Sequence, residues 1–310
     1  MIADLKPPQQ VKTVYLCKSR QLLKNKNGKE YYALKVQDAS GVMDAKVWSI
    51  NSSIADCKIN DIIYIEGEVV LFQNNLQLNV FKLTIATEDT YKIEDLIPKS
   101  KVNLENLQTE LLEFIDSVQN NKVRQLLESI FYDDEILEKF INHPAGKSVH
   151  HAYLNGLLEH TITVAKIGRT LSRNYNHVNE DLVIAGCLLH DIGKIYELSN
   201  FPQIDYTDEG QLLGHIMIGL EKINTYINQI PDFPSEYSLV LKHIIASHHG
   251  ELEYGSPQTP KCIEAMIVHL SDYSDSKIKM IEEMLDDSKE TYVGYNKILN
   301  RNIRRTKSEE

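Results

Sequence analysis

The C-terminal two thirds of this 310-residue chain repeatedly places histidine or aspartate where a helix would otherwise present apolar side chains. Five segments share this feature: LLEHT with His160, LLHDIGK with His190, Asp191 and Lys194, LLGHIMIG with His215, IIASHHG with His248 and His249, and VHLSDY with His269 and Asp272. A buried imidazole needs a partner, because an unsatisfied ring nitrogen is costly away from water. Any fold of this chain must therefore supply partners for these side chains.

Helical spacing predicts that at least two of these histidines face inward. In the predicted helix that contains the first segment, one stripe has steps of three or four residues: Tyr153, Leu157, His160, Val164, Ile167 and Leu171. His160 thus shares the apolar face of its helix and not the solvent face. In the predicted helix that leads into the fourth segment, Leu241, Ile245 and His248 share a face in the same way.

Two interpretations account for these histidines: each is a core residue bonded to a backbone carbonyl, or they share a metal ion. A single such histidine favours the first, but five successive segments with adjacent His-Asp and His-His pairs favour a metal centre. Imidazole and carboxylate ligands suit Mn²⁺, Fe²⁺, Co²⁺, Mg²⁺ or Zn²⁺. The four cysteines are widely spaced without a CxxC pair, which predicts free thiols and no thiolate zinc site.

The N-terminal part has a different pattern. Five short β-rich runs lie between residues 11 and 86, separated by turn residues and by one longer polar segment, 51–60. This pattern predicts an all-β five-stranded OB-fold barrel over 1–86, followed by an all-α domain. Residues 87–104 are polar and contain Pro98, which predicts a linker. A helical domain is then expected over 105–295, and a basic, frayed tail over 296–310.

The net charge of −11 argues against nucleic acid as a partner when it is taken over the whole chain. Residues 1–86, however, hold 11 basic and 8 acidic residues, so the barrel is locally basic. Small barrels bind single strands through a basic groove and stacked aromatic rings. The candidate binding residues are Lys24, Lys26, Lys29, Tyr31, Tyr32 and Trp48. Their alternative role is barrel core for the aromatics, and of the adjacent Tyr31 and Tyr32 only one can point inward.

The ordered series H…HD…H…HH…D, over about residues 145–290, resembles that of the HD-domain metal-dependent phosphohydrolases. The whole layout, with PAGKSVHHAYLNGLLEHT and LLHDIGK after a barrel, resembles the YhaM family of bacterial 3′-to-5′ exoribonucleases. The resemblance implies that one metal is bound by His160, His190, Asp191 and Asp272. It implies a second metal on His215, His248 and His249, with Asp191 bridging. It also allows a homo-oligomer, since HD proteins often self-associate.

Two divalent cations, with Mn²⁺ the first expectation, can activate water and clamp a phosphodiester for in-line attack. Asp191 suits the bridging position, and Lys194 could neutralise charge on the phosphoryl oxygens or be a solvated helix-end lysine. Lys147, His150 and His151 are expected to line the phosphate path. His269 could orient a ligand or simply pack, and His143 and His177 are expected at the surface.

The leading hypothesis is a metal-dependent 3′-to-5′ exoribonuclease that converts single-stranded RNA, with single-stranded DNA allowed, to nucleoside 5′-monophosphates. A second is an HD phosphohydrolase acting on a nucleotide or cyclic dinucleotide. The cyclic-dinucleotide branch carries a GYP motif after the paired histidines, where this chain has Gly255-Ser256-Pro257. A third is a non-catalytic protein that binds single-stranded nucleic acid.

The N-terminus lacks a signal-peptide pattern and no apolar run is long enough for a membrane span, so we expect a cytoplasmic protein without a membrane partner.

Overall fold

The computed structural model describes residues 1–73, 75–147, 151–202, 204–288 and 290–307. The chain forms two compact units, which are described separately. The first contains residues 1–99 and 200–204, and the second contains residues 100–199 and those from Asp205 onward. Within the described ranges, no helix combines the length and the apolar character needed to cross a membrane.

The first unit is a closed five-stranded barrel. Its strands are β1 (Gln9–Lys24), β2 (Glu30–Asp38), β3 (Gly41–Val47), β4 (Ile62–Phe72) and β5 (Asn75–Ile85). They close in the order β1-β2-β3-β5-β4, with β3 and β5 parallel and the other pairs antiparallel. This strand order is that of the five-stranded Greek-key barrel of an OB-fold, so the predicted barrel is confirmed.

Alternation of apolar and polar side chains explains the closure. Alternate residues of β2 and β3 are buried in the barrel interior: Leu34, Val36, Met43, Ala45 and Val47. The residues between them face outward, as the two-residue period of a strand requires. In the turn between β1 and β2, the Asn25 side chain accepts hydrogen bonds from the amides of Asn27 and Lys29, and Gly28 takes a positive φ of 78°. The lysines at this turn therefore lie on or beside a hydrogen-bonded loop.

The segment predicted as a linker is partly packed on the barrel. Residues 88–90 and 93–95 form short 3₁₀ turns, and Leu96 and Ile97 are buried against Leu16 and Ile62. The first unit consequently extends to Lys99.

The second unit is helical. Its helices are α1 (Leu104–Ser117), α2 (Asn121–Phe131), α3 (Asp134–Asn142), α4 (Gly156–Ser172), α5 (Glu180–Leu189), α6 (Lys194–Glu197), α7 (Asp208–Gln229), α8 (Ser235–Ser247) and α9 (Ile263–Asp287). Five have an N-cap side chain that accepts from a first-turn amide: Asn103, Asn120, Asp133, Asn179 and Thr207. Helix α5 is buried on all sides from Leu182 to Leu189. Its C-terminal end therefore delivers the following residues into the interior of the unit.

The prediction of a frayed tail is wrong for residues 296–305. Strands β6 (Tyr292–Asn296) and β7 (Arg301–Arg304) form an antiparallel hairpin. Ile303 is buried against Met280 of α9, and the Arg305 guanidinium donates a 2.7 Å hydrogen bond to the Ser288 carbonyl. These contacts fix the hairpin to the end of α9.

Candidate metal centre

Five helices bring the seven predicted ligand residues to one place. His160 lies in the middle of α4, and His190 and Asp191 follow the buried end of α5. His215 lies in α7 and Asp272 lies in α9. His248 and His249 directly follow the last residue of α8. Gly214, immediately before His215, has a φ of 70° that kinks α7, and this kink sets the direction of the His215 side chain.

One group of possible ligand atoms contains His160, His190 and Asp272, all within 4.8 Å of one another. The Nε2 atoms of His160 and His190 are 3.1 Å apart, and Asp272 Oδ1 lies 3.3 Å from His160 Nε2. Asp191 Oδ2 lies 3.4 Å from the same His160 atom and 3.3 Å from His190 Nε2. Two imidazole nitrogens and two carboxylates therefore surround one point.

A second group contains His215, His248 and His249, again within 4.8 Å. The other oxygen of Asp191 faces this group, because Oδ1 lies 3.6 Å from His215 Nε2 and 3.7 Å from His248 Nε2. The two oxygens of this one carboxylate thus face the two groups separately. This is the geometry that a bridging ligand needs.

Hydrogen bonds fix the orientation of four of the imidazoles. Each Nδ1 faces an oxygen: Asp275 Oδ2 at 2.6 Å from His160, Cys187 O at 2.8 Å from His190, Glu197 Oε1 at 3.0 Å from His215, and Ile245 O at 2.8 Å from His248. Carbonyl and carboxylate oxygens only accept, so each Nδ1 is the donor. In a neutral ring the Nε2 lone pair then faces the centre, as in metal-ligating histidines with an oriented second nitrogen.

Three buried polar atoms at the centre indicate whether these residues could hold a cation. Asp191 Oδ1, His215 Nε2 and His248 Nε2 have no hydrogen-bond partner within the described part of the chain. Buried acceptors without a partner are costly, and three of them facing one another are more so. Nitrogen and carboxylate donors in this number suit a divalent metal, so the residues present fit the group.

The charges around the centre favour an ionised Asp191 and neutral rings at His248 and His249. Burial raises the pKa of Asp191, but Lys194 and His190 outweigh it and hold that pKa well below its ordinary value. Burial lowers the pKa of both His248 and His249, which keeps these rings neutral. Burial opposes protonation of His160 too, yet three neighbouring carboxylates raise its pKa. A cation would supply the positive charge that these carboxylates favour.

Lys194 is not a solvated helix-end lysine. Its side chain is 13% exposed, and its Nζ lies 2.6 Å from Asp191 Oδ2. The turn between Asp191 and Lys194 packs directly on α7. A Cβ atom on Gly193 would lie 2.0 Å from the His215 carbonyl oxygen, so only glycine permits this approach.

A cavity of about 420 Å³ reaches this centre. Lys147, Lys194 and His269 line it together with four of the seven ligand candidates, Asp191, His215, His249 and Asp272. Lys147 is therefore close to its predicted place, although its Nζ is bonded to Asp205 at 2.7 Å. His269 also contacts the backbone of one candidate ligand, since its Nδ1 lies 2.8 Å from the His248 carbonyl oxygen.

A buried polar network lies behind His160, and it corrects one expectation. His151 was expected to line the phosphate path, but it is buried, with Nδ1 2.9 Å from the Tyr153 hydroxyl and Nε2 2.9 Å from Asp275 Oδ2. The neighbouring His150 lies outside the described residues. Sequence reasoning missed Asp275, although it follows Asp272 by three residues and so lies one helical turn along α9.

His143 is also placed differently from the expectation. It is 1% exposed, with ring nitrogens 3.0 Å from the Pro144 carbonyl and 3.2 Å from the Leu198 carbonyl, and is therefore not a surface residue. His177 is exposed, as expected.

On the barrel, the half-buried Tyr31 and the exposed Trp48 form an aromatic pair. Their ring centroids are 4.7 Å apart, Lys46 Nζ lies 5.8 Å from the Tyr31 ring, and Trp48 is 44% exposed. Tyr32 faces the other way, is half-buried against the barrel core and lies under the Arg20 guanidinium, so it does not belong to this pair and its strand-binding role stays a prediction. The three lysines of the β1–β2 turn and its edges are exposed: Lys24, Lys26 and Lys29.

Comparison with known proteins gives the following matches. A family model described as HD domain matches residues 157–277. The second OB-fold domain of replication protein A from Methanococcus maripaludis is 18% identical and covers 28% of this chain and 94% of that one, with a TM-score of 0.24. A replication protein A heterotrimer bound to single-stranded DNA is 17% identical over 28% of this chain and 65% of that one, with a TM-score of 0.22.

One relative covers most of this chain. The 3′-5′ exoribonuclease YhaM of Oceanobacillus iheyensis is 35% identical over 264 residues, which are 84% of this chain and 82% of that protein. At this identity and coverage, the chain belongs to the YhaM family.

Proposed function

We propose that this protein is a divalent-metal-dependent 3′-to-5′ exoribonuclease that releases nucleoside 5′-monophosphates from single-stranded RNA. The observation that carries the proposal is the position of Asp191, whose two oxygens face two separate histidine groups. The name of the Oceanobacillus relative, a 3′-5′ exoribonuclease, supports the polarity and the substrate.

One metal would be held by His160, His190, Asp191 and Asp272, and the other by His215, His248, His249 and Asp191. Two divalent cations supply Lewis acidity toward the phosphodiester and a nucleophile from water at neutral pH. The absence of thiolates from both groups and the mixture of imidazole and carboxylate make Mn²⁺ our first choice of metal.

The protein's own residues position these groups and the substrate. Asp275 and Glu197 hold His160 and His215 by their Nδ1 atoms, so that each Nε2 faces the metal side. Lys194 reaches the same cavity and neutralises charge that develops on the phosphoryl oxygens. Burial of His190 and Asp191 excludes bulk water and strengthens these interactions.

The barrel binds the RNA strand in this proposal. The Tyr31–Trp48 pair lies with Lys46 on the outer face of β2 and β3, which is the binding face of OB-folds. Aromatic platforms and nearby lysines bind bases and phosphates with little sequence preference. Residues 1–86 therefore act as the strand-binding domain, and residues 105–295 act as the phosphohydrolase domain.

A digestion time course on 5′-labelled single-stranded RNA with Mn²⁺ tests the proposal. We expect a ladder that shortens progressively from the 3′ end, with nucleoside 5′-monophosphates as the released product. Asp191→Asn should abolish it, whereas Asp286→Asn, at an exposed ion pair with Lys101, should not. RNA that stays intact with every divalent metal, or internal cuts without monophosphates, would overturn the proposal.

A further inference from the structure

Helix α9 continues past Asp272 with side chains that line the same cavity. Tyr273, Ser276 and Lys277 all contact this space. Residues four apart share a helix face, so Tyr273 and Lys277 lie side by side, next to Asp272 and Ser276. The Ser276 hydroxyl donates a 3.1 Å hydrogen bond to Asp272 Oδ1. Helix α9 thus presents the candidate metal ligand Asp272, together with Tyr273 and Lys277, to one cavity.

Lys277 differs from the other two lysines of the cavity. Lys147 is paired with Asp205 at 2.7 Å, and Lys194 with Asp191 at 2.6 Å. Lys277 has no carboxylate within ion-pair distance among the residues that the structure describes; its Nζ lies 5.3 Å from the centre of the Tyr273 ring. Of these three lysines, Lys277 is therefore the one whose charge a bound anion would compensate.

Tyr273 supplies an aromatic surface beside this charge. Its side chain is 45% exposed, although it belongs to a helix whose opposite face is buried. The cavity of about 420 Å³ lies near the lower end of the roughly 300–1,000 Å³ found for small-molecule sites. Aromatic ring, cation and volume together match one nucleotide.

We propose that Tyr273 and Lys277 form a nucleotide subsite, in which Tyr273 stacks on the terminal base and Lys277 pairs with a phosphate next to the one cleaved. The inference rests on the proposed function and deepens it. Stacking reads the flat face that every base has, so the subsite accepts any base. That face is covered in a paired and stacked end, so the subsite also selects an unpaired 3′ nucleotide.

The test compares two RNA substrates that differ only at the 3′ end, one with a normal nucleotide and one with an abasic residue. Tyr273→Leu should lower kcat/KM for the normal end by roughly 5- to 150-fold, the value of one base–aromatic stack. The abasic end should be removed at the same rate by the native protein and by Tyr273→Leu. Tyr273→Phe, which keeps the ring, should behave like the native protein on both substrates.

Lys277→Gln should raise KM and reduce the salt dependence of RNA binding. The matched control is Lys222→Gln, since Lys222 also lies over a tyrosine ring, Tyr196, 4.4 Å away but outside this cavity.

The stacking role has its own refutation. Equal losses on both substrates for Tyr273→Leu, or no loss on either, would overturn it. Unchanged metal content of each variant separates the subsite from a disturbance of the neighbouring Asp272.

A binding measurement keeps this inference distinct from the proposed function. In calorimetry with Mn²⁺-loaded protein, adenosine 5′-monophosphate should bind more tightly than ribose 5-phosphate, and Tyr273→Leu should remove the difference. Intact RNA together with this preference would refute the nuclease but support the subsite. Equal binding of the two ligands by the native protein would refute the subsite, whatever happens to RNA.

Discussion

The carboxylate of Asp275 is expected to determine how strongly the centre binds metal, although it faces away from the metal side of His160. A single oxygen, Oδ2, lies 2.6 Å from His160 Nδ1 and 2.9 Å from His151 Nε2. Replacing it in Asp275→Asn keeps the shape of the side chain and removes the charge. The variant therefore tests the charge of this contact together with its capacity to accept hydrogen bonds from two rings.

The expected magnitude follows from these two contacts. A hydrogen bond to a charged group contributes about 1.5–3 kcal/mol, against about 0.5–1.5 kcal/mol between neutral groups, so His160 loses roughly 1 kcal/mol of support. If the amide turns its NH₂ toward His160, the ring must carry its proton on Nε2, which blocks the ligand atom. We expect Mn²⁺ to bind about 10- to 100-fold more weakly, the range found for partners that orient a ligating histidine.

Calorimetric titration of metal-free protein with Mn²⁺ measures this loss. The matched control is Asp286→Asn, the same chemical change on the same helix, at a carboxylate that is exposed and bonded to Lys101. Circular dichroism verifies that both variants are folded. An Asp275→Asn protein that is folded and binds Mn²⁺ within about threefold of the native affinity would refute the reasoning.

Three further outcomes are expected. Gly193→Ala should cost about 1–3 kcal/mol of stability, because the new Cβ would lie 2.0 Å from the His215 carbonyl oxygen, whereas Gly219→Ala, with nothing nearer than 3.5 Å, should cost little; equal losses in urea unfolding would contradict this. Chelation of the metal should lower Tm by roughly 5–10 °C relative to protein at 100 times Kd, and an unchanged melting curve would count against a bound cation. Burial lowers the pKa of His143 below its ordinary 6.5, so the stability that its neutral form contributes is present above pH 6.5 and lost on acidification. His143→Gln should therefore lose less unfolding free energy between pH 7.5 and 5.5 than the native protein, and equal losses would show that His143 does not contribute.

The sequence was most informative where residues with distinctive chemistry occur within a regular helical or strand repeat. His160 could be placed on an inner face because helices repeat every 3.6 residues, and the barrel because its strands alternate every two. His151 was misplaced because it lies in a loop, with a φ of 56°, and its partner Asp275 is 124 residues away. No local pattern reports such a contact.

His143 and the C-terminal hairpin were misplaced for related reasons. The burial of His143 depends on the Leu198 carbonyl, 55 residues further along the chain. Strands β6 and β7 are five and four residues long, too short for a clear alternation, and their apolar contacts come from α9. Asp275 carried a visible signal, its spacing from Asp272, but spacing alone does not reveal that it bonds a histidine of α4.

The position of Asp191 between the two histidine groups has a thermodynamic consequence. Because one carboxylate faces both groups, occupancy of either position changes the charge and orientation that the other position meets. In the proposed two-metal centre such coupling would be reciprocal, so each cation would alter the affinity for its neighbour by the same factor. A change at His215, which belongs to the second group, is therefore expected to shift metal affinity at the first as well. If both positions hold a cation, as proposed, metal loading is one linked equilibrium in which the two binding free energies depend on each other.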